Sequence, residues 1–402
     1  MISFEMSAEI RQQREYAEKV SREQIRPYAR HYDEHEHEVP WDFARFIWDE
    51  ARHKLGCLLP GSMDFEEPFM TQVHTLEALA WGDEGLYMCL PWPALGGTAV
   101  LATGTEEQIE RFLERFHGPE ITWASMALTE AHCGSDSSAI RTRAVLDGDS
   151  WVLDGEKLFV STARASMIDS GGIMIVWATI DPAAGRKGMR LFVVEAGNPG
   201  LKIARQENKL GLRASDTAVV VLDNCRVPFE NMLSNTGDPQ KAKSFKGAMA
   251  TFDSARPMAA ASGVGIARAA LEYVKEQLAG NGIAIGYDRP RNQLSAIERD
   301  IVDMEAQLDA AWLLVLKASW LIDRKKPNTA ESSMSKLKAG DVVTRITQKC
   351  VELMGNLGYS RRLLLEKWMR DGKVIDLFEG TGQINRLIVA RRILGYTGKD
   401  LK

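Results

Sequence analysis

At 402 residues the chain exceeds one ordinary domain, so two or three domains around substantial cores are expected. Hydrophobic content of 45% and charged content of 26% are those expected of a soluble globular protein, and a net charge of -5 argues against a nucleic-acid footprint or an anionic-membrane binder. No apolar run reaches bilayer-spanning length, Met1–Lys19 lacks signal character, and Cys57, Cys89, Cys133, Cys225 and Cys350 are scattered, so a cytoplasmic protein with reduced thiols is expected.

Residues 1–122 read as an N-terminal α-helical domain. Ile10, Tyr16, Val20, Ile25 and Tyr28 recur at near-helical spacing, and Trp41 to Leu55, Thr71 to Trp81 and Glu106 to Phe116 continue the pattern. Pro60-Gly61, Pro91-Trp92-Pro93 and Gly96-Gly97 punctuate it. His31, His35 and His37 stand among acids and read as a solvated helix face rather than a metal site, because Pro40 ends the helix and no second ligand cluster is apparent. The apolar piece Leu86–Trp92 fits either ordinary core or the wall of a greasy pocket.

The texture changes near Ile121, and residues 123–235 read as a middle β-barrel-like domain. Asp147-Gly148 precedes Trp151-Val152-Leu153, and Asp154-Gly155 precedes Leu158–Ser161, which together form a hairpin signature. Met174 to Thr179, Met189 to Val194 and Thr217 to Leu222 read as further strands. From 236 to 402 the pattern is helical again. Apolar stripes at Ile297, Ile301, Met304, Leu308, Ala311 and Val315, at Met334, Leu337, Val342, Ile346 and Leu353, and from Ile384 to Leu394 predict, with the Ala-rich 259–278, a C-terminal four-helix bundle. The fold class is therefore α+β, multidomain.

Two stretches carry chemistry. Leu128-Thr129-Glu130-Ala131-His132-Cys133-Gly134-Ser135-Asp136 offers two hydroxyls and a group of backbone N–H donors around Gly134, a cradle for a phosphate or a heteroaromatic edge. Near the C-terminus, Glu379 stands alone between Phe378 and Gly380. Held in an apolar pocket its pKa would rise toward that of a working base; on an exposed loop it would be an ordinary acid.

These stretches, with Lys157–Ser161, Asn208–Thr217, Asn224–Pro228, Gly104–Gln108, Met369–Lys373 and Phe378-Glu379-Gly380-Thr381-Gly382-Gln383-Ile384, run in register over almost the whole chain. In that order they resemble the acyl-CoA dehydrogenase family, nearest in pattern to its medium- and short-chain members. The resemblance implies FAD, α,β-desaturation of an acyl-CoA thioester, and transfer of electrons to an electron-transfer flavoprotein; the alternatives are an acyl-CoA oxidase or other flavin thioester enzyme of the same fold, and a non-catalytic partner subunit of a heteromeric acyl-CoA dehydrogenase. By position it implies Leu128 and Thr129 against the isoalloxazine, Gly134 and Ser135 at the pyrophosphate, and Phe159 and Ser161 beside the ring. It further implies Thr381 and Gln383 at the cofactor, Asp253, Arg256 and Gly380 at the thioester, and Glu379 as catalytic base. Ser254 and Ala255 occupy the positions where some members carry the base instead, which favours Glu379.

The chain departs from the pattern where a neighbouring protomer's FAD would be gripped. Ala284 stands in the place of an arginine, Tyr287 in that of a phenylalanine, and Glu352 in that of a glutamine. A lost cation and a gained acid weaken that half-site. Arg289 or Arg291 could substitute. The resemblance implies a homodimer or homotetramer, with a heteromeric assembly including a related subunit as the alternative.

Overall fold

The computed structural model describes residues 5–55, 65–234, 245–396 and Asp400, with only the backbone of 245–251. The N-terminal helices are α1 (Ala8–Val20), α2 (Ala29–Glu34), α3 (Trp41–Phe46), α4 (Pro68–Tyr87), α5 (Ala94–Thr103) and α6 (Glu106–Leu113). Polar caps set their starts where the sequence allows: Ser7 accepts from the Ile10 N–H, and Thr105 with Gln108 forms a reciprocal capping box on α6. The Leu86–Trp92 piece packs chiefly as core, since Leu86 and Leu90 are fully buried with Val20, Ile47 and Leu76. The break at Pro60-Gly61 lies outside the described residues.

The strands are β1 (Ala124–Ala127), β2 (Arg143–Asp147), β3 (Ser150–Ser161), β4 (Ile173–Thr179), β5 (Met189–Glu195), β6 (Leu201–Gln206) and β7 (Thr217–Pro228), with a short helix α7 (Ala163–Met167) after β3. They form one curled sheet in the order β1-β4-β2-β3-β7-β6, with β5 beside β4. Every residue of β4 is buried, as its unbroken apolar run requires. One sheet face buries Trp151, Val176 and Phe192 together; the other packs Ile175, Trp177 and Leu191 on Phe112 and Phe116 of the helical domain. Each large apolar side chain so buried contributes roughly 1.5–3 kcal/mol.

The expected turn at Asp154-Gly155 is not a turn. Asp147-Gly148 closes the β2–β3 hairpin, whereas β3 runs unbroken past Gly155 with a register shift against β7. Gly155 is needed there for close approach, because a Cβ would sit 2.5 Å from the Thr142 hydroxyl oxygen.

The C-terminal helices are α8 (Phe245–Gly280), α9 (Ala296–Asp323), α10 (Thr329–Tyr359), α11 (Leu365–Gly372) and α12 (Gly382–Leu394). The α9 stripe lies in the bundle core as its period demands. On α10 the buried face is partly a different one: Ser332, Ser333, Ser335, Lys336 and Ala339 are enclosed, whereas Met334 and Leu337 are only partly buried. The α12 stripe is not core within one chain, since Leu387, Ile393 and Leu394 are exposed. Among the described residues no helix is long and apolar enough to cross a membrane.

Candidate active site

The first half of the site is built where β1 gives way to a turn. Glu130 and Cys133 exchange backbone hydrogen bonds of 3.0 and 3.1 Å, which closes the Thr129–Gly134 turn. Underneath, the Glu130 carboxylate accepts from Lys157 Nζ at 2.7 Å, from the Thr142 hydroxyl at 2.6 Å and from the Arg141 N–H at 2.7 Å. Burial pushes the Glu130 carboxyl up, but Lys157 and these donors outweigh it and hold it below the usual carboxylate range. Lys157, wholly enclosed, also donates to the Leu128 carbonyl at 3.1 Å. The Leu158 N–H reaches the Thr129 carbonyl at 2.9 Å. Thus β3 fixes the turn's start to the residue preceding Phe159.

At this junction β3 is irregular. Its register against β7 shifts between Lys157 and Val160, and Phe159 takes a left-handed φ of 54°. The shift turns the Phe159 ring outward, 62% exposed, with half-buried Ser161 two residues on. Thr129 is half-buried, while Gly134 and Ser135 are exposed beyond it. A large apolar ring offered to the outside beside two hydroxyls and an open glycine turn is a fitting seat for a flat heteroaromatic group with a phosphate tail.

The second half comes from α8, α10 and the loop before α12. Pro257 inside α8 removes the N–H that would reach the Asp253 carbonyl, and Asn328 Nδ2 supplies the missing donor at 3.2 Å. The Asp253 carboxylate accepts from Arg256 and from the Thr329 hydroxyl, each at 2.7 Å, which holds the buried Arg256 guanidinium in place. Phe252, just ahead of them, packs on the same cluster as Leu128, so the two halves are continuous.

Glu379 lies on a tight turn with φ 52°, followed by Gly380 at 85°. A non-glycine residue in this region costs roughly 1–2 kcal/mol, so the surroundings must over-determine the turn. They do. Lys336 Nζ donates to the Gly380 carbonyl at 2.7 Å, Asn385 Nδ2 donates to the same oxygen at 2.7 Å, and the Thr381 hydroxyl caps α12 by accepting from the Ile384 N–H at 3.3 Å. Gln383 is exposed on the first turn of that helix.

Although Glu379 as a residue is only partly buried, its Oε2 is enclosed and has no hydrogen-bond partner among the described residues. Burial raises its pKa; the positive charges of Arg256 and Lys336 pull it back only in part. Burial likewise pushes Lys336 down to about 8, against Glu379 and Asp376. A partly desolvated carboxylate facing two cations can take a proton from a weak carbon acid.

Lys336, Asn385 and the Glu130–Lys157 pair were not expected from sequence. Lys336 sits among serines on a helix face whose small residues, rather than its Met and Leu, mark the buried side. Around the positions where the resemblance expects a trans contact, Arg289 is paired with Glu298 and Arg291 with Asp303, while Lys349 donates to Glu352 at 2.9 Å. His31 stands 3.1 Å from Glu38, and with His35 they are close enough to share a cation, all three exposed; His37 bonds Asn208 instead.

Comparison with known proteins gives a consistent result. The chain matches family models described as the N-terminal, middle and C-terminal domains of acyl-CoA dehydrogenase over residues 7–118, 125–225 and 245–394. It is 36% identical over 303 residues to the acryloyl-CoA reductase (NADH) of Anaerotignum propionicum, covering 74% of this chain and 72% of that protein. It is 37% identical over 297 residues to the mitochondrial short-chain specific acyl-CoA dehydrogenase of Bos taurus, covering 73% and 68%. The solved butyryl-CoA dehydrogenase of Megasphaera elsdenii superposes with a TM-score of 0.82 at 27% identity, covering 98% of this chain and 100% of that one.

Proposed function

The chain belongs to the acyl-CoA dehydrogenase family of FAD-dependent oxidoreductases, and on that premise we propose that it desaturates an acyl-CoA thioester between its α and β carbons. The observation that carries this reading is the Glu379 carboxyl, enclosed, unpartnered at Oε2 and raised in pKa beside Arg256 and Lys336. In this reading Glu379 removes the α proton. The Glu379 backbone N–H, on the strained turn, donates to the thioester oxygen as negative charge gathers there. Asp253, Arg256 and Gly380 position the thioester, Arg256 through its clamp to Asp253.

FAD supplies the acceptor for the β hydride. Leu128, Thr129, Phe159 and Ser161 would hold its ring, with Gly134 and Ser135 at the pyrophosphate and Thr381 and Gln383 at the far rim. Phe159 supports this placement, since the register shift of β3 turns its ring outward directly beside the Thr129–Gly134 turn. The electrons then pass to an electron-transfer flavoprotein. The exposed apolar residues of α12 support a homodimer or homotetramer, and the four described cysteines, all buried and unpaired, support a cytoplasmic location.

The test is anaerobic mixing of FAD-loaded Glu379→Gln with a panel of acyl-CoAs. Flavin stays bound but bleaching slows by about 100- to 10,000-fold, the usual loss for a positioned general base. Bleaching at the parent rate would sink the assignment.

A further inference from the structure

His31, His35 and Glu38 take no part in the chemistry above. Their stretch reads from sequence as a solvated helix face, but the helix does not run on to Pro40. α2 stops at Glu34 and the chain doubles back at once: the Glu38 N–H donates to the His35 carbonyl at 3.1 Å, and His37 takes a left-handed φ of 75°. The reversal returns the Glu38 carboxylate to the end of α2, where its two oxygens lie 3.1 and 3.2 Å from His31 Nε2. His35, four residues after His31, stacks on it with ring centroids 4.3 Å apart and planes inclined by 24°. A ring nitrogen of each histidine and one Glu38 oxygen thus all lie within 4.8 Å of one another.

This spacing is close to that of the ligands around a small metal ion. Zn–N and Zn–O bonds of about 2.0–2.2 Å in a tetrahedron set neighbouring donor atoms roughly 3.4 Å apart. His31 and Glu38 already stand at such a separation, and the exposed His35 can close the rest by turning its side chain. The support that orients a liganding imidazole is also present. His35 Nδ1 lies 2.8 Å from the His31 carbonyl. A carbonyl only accepts, so Nδ1 carries the proton and the neutral ring keeps its lone pair on Nε2.

Charge favours a cation there. Of the acids around the turn, Asp33 is held by Arg30 and Arg370, and Glu36 by Arg213. Glu38 has no lysine or arginine partner among the described residues, and its ion pair is with His31. An exposed pair of that kind is weak enough for a metal ion to replace. The other grouping of possible ligands, Glu130, His132 and Cys133, differs in that its carboxylate is already filled by Lys157, Thr142 and the Arg141 N–H.

We propose that His31, His35 and Glu38 bind one divalent transition-metal ion of the Zn2+ class, with water completing its coordination. Two imidazoles and one carboxylate select such an ion over Mg2+ or Ca2+, which prefer oxygen ligands. The ion ties the end of α2 to the turn that follows it. The same turn carries Glu36, which accepts from the Lys209 N–H at 2.8 Å, and His37, 3.1 Å from Asn208 Oδ1. The ion therefore also steadies the grip of the helical domain on the segment leading into β7. The site is independent of the acyl-CoA chemistry.

The experiment uses untagged, full-length, FAD-loaded protein, freed of metal by a chelator and titrated calorimetrically with zinc or magnesium chloride. His31, His35 and Glu38 are exposed, so substitutions there leave the core packing untouched. The expected result is one Zn2+ per chain, bound at least about tenfold more tightly than Mg2+. In His31→Ala and in His35→Ala the Zn2+ affinity falls by about tenfold or more, while His37→Ala leaves it unchanged. Zn2+ raises the thermal midpoint of the parent and not that of His31→Ala. Zn2+ bound no more tightly than Mg2+, parent affinity retained in either His31→Ala or His35→Ala, or affinity lost in His132→Ala instead, overturns the site. Binding without a rise in the parent midpoint overturns the tie between α2 and its turn.

Discussion

Lys336 and Glu379 meet through the backbone. The Lys336 ammonium lies 2.7 Å from the carbonyl oxygen of Gly380, the residue that follows Glu379, and its charge also acts on the Glu379 carboxyl. One buried cation from α10 thus fixes the turn and biases the proton affinity of the acid on it. The other charged groups acting there are Arg256 from α8, held by Asp253, and Asp376 just ahead of the turn.

Lys336→Met therefore moves the acidic limb of flavin bleaching to higher pH. The sign follows from the charge: Lys336 favours ionised Glu379, so its loss raises an already raised pKa. The parent rate falls as pH drops through that raised value, and the variant falls sooner. A limb at the parent position in a folded, FAD-loaded variant would show that Lys336 holds only the turn.

Ser135→Ala weakens FAD retention without moving that limb. A hydroxyl bonded to a charged phosphate contributes about 1.5–3 kcal/mol, one to two decades in affinity. An unchanged FAD dissociation constant on dialysis or titration would make Ser135 a turn residue only.

Lys157→Met destabilises the protein by about 3–5 kcal/mol, because it leaves Glu130 buried without its cation. It also removes the donor to the Leu128 carbonyl, so flavin retention falls along with stability. Denaturant unfolding with and without FAD checks both, and a loss below about 1 kcal/mol would refute the anchoring role.

The prediction on assembly turns on Ala284 and Glu352. Lys349 already accompanies Glu352, and Arg289 and Arg291 are each tied to an acid of α9. The exposed Arg291–Asp303 pair is weakly held and can be re-partnered, whereas Arg289 is tied to a buried Glu298. A self-paired oligomer of this chain is expected to hold FAD less tightly than an assembly in which a related subunit supplies the arginine, unless Arg289 or Arg291 swings into the site. One tightly held FAD per chain in a homo-oligomer, lost on Arg289→Ala or Arg291→Ala, refutes the mixed assembly.

Much of the architecture is legible in the sequence because its signals are local. The α9 stripe keeps its period for five turns, and the strand runs at Met174 and Met189 end at clear turn residues. Asp154-Gly155 misleads because a dipeptide that favours a turn also suits a bulge, and only the approach of Thr142 decides between them. The buried face of α10 is missed for the opposite reason: Ser333 and Ser335 turn their hydroxyls onto carbonyls of their own helix, and Lys336 is held by the Gly380 carbonyl 44 residues away. Thr129, Phe159 and Glu379 are visible only as motif positions. The Lys336 contact and the Asn328 donor to Asp253 depend on tertiary meetings that no spacing encodes.

The left-handed turn at Glu379 has a consequence for which residues can occupy it. Glycine would adopt that backbone without steric cost and would leave no enclosed carboxyl to desolvate. Folding thus favours glycine at this position on two counts, backbone shape and solvation. That a glutamate stands there instead means the position is filled against the grain of the fold. The support from Lys336, Asn385 and Thr381 keeps a residue that the turn by itself would reject.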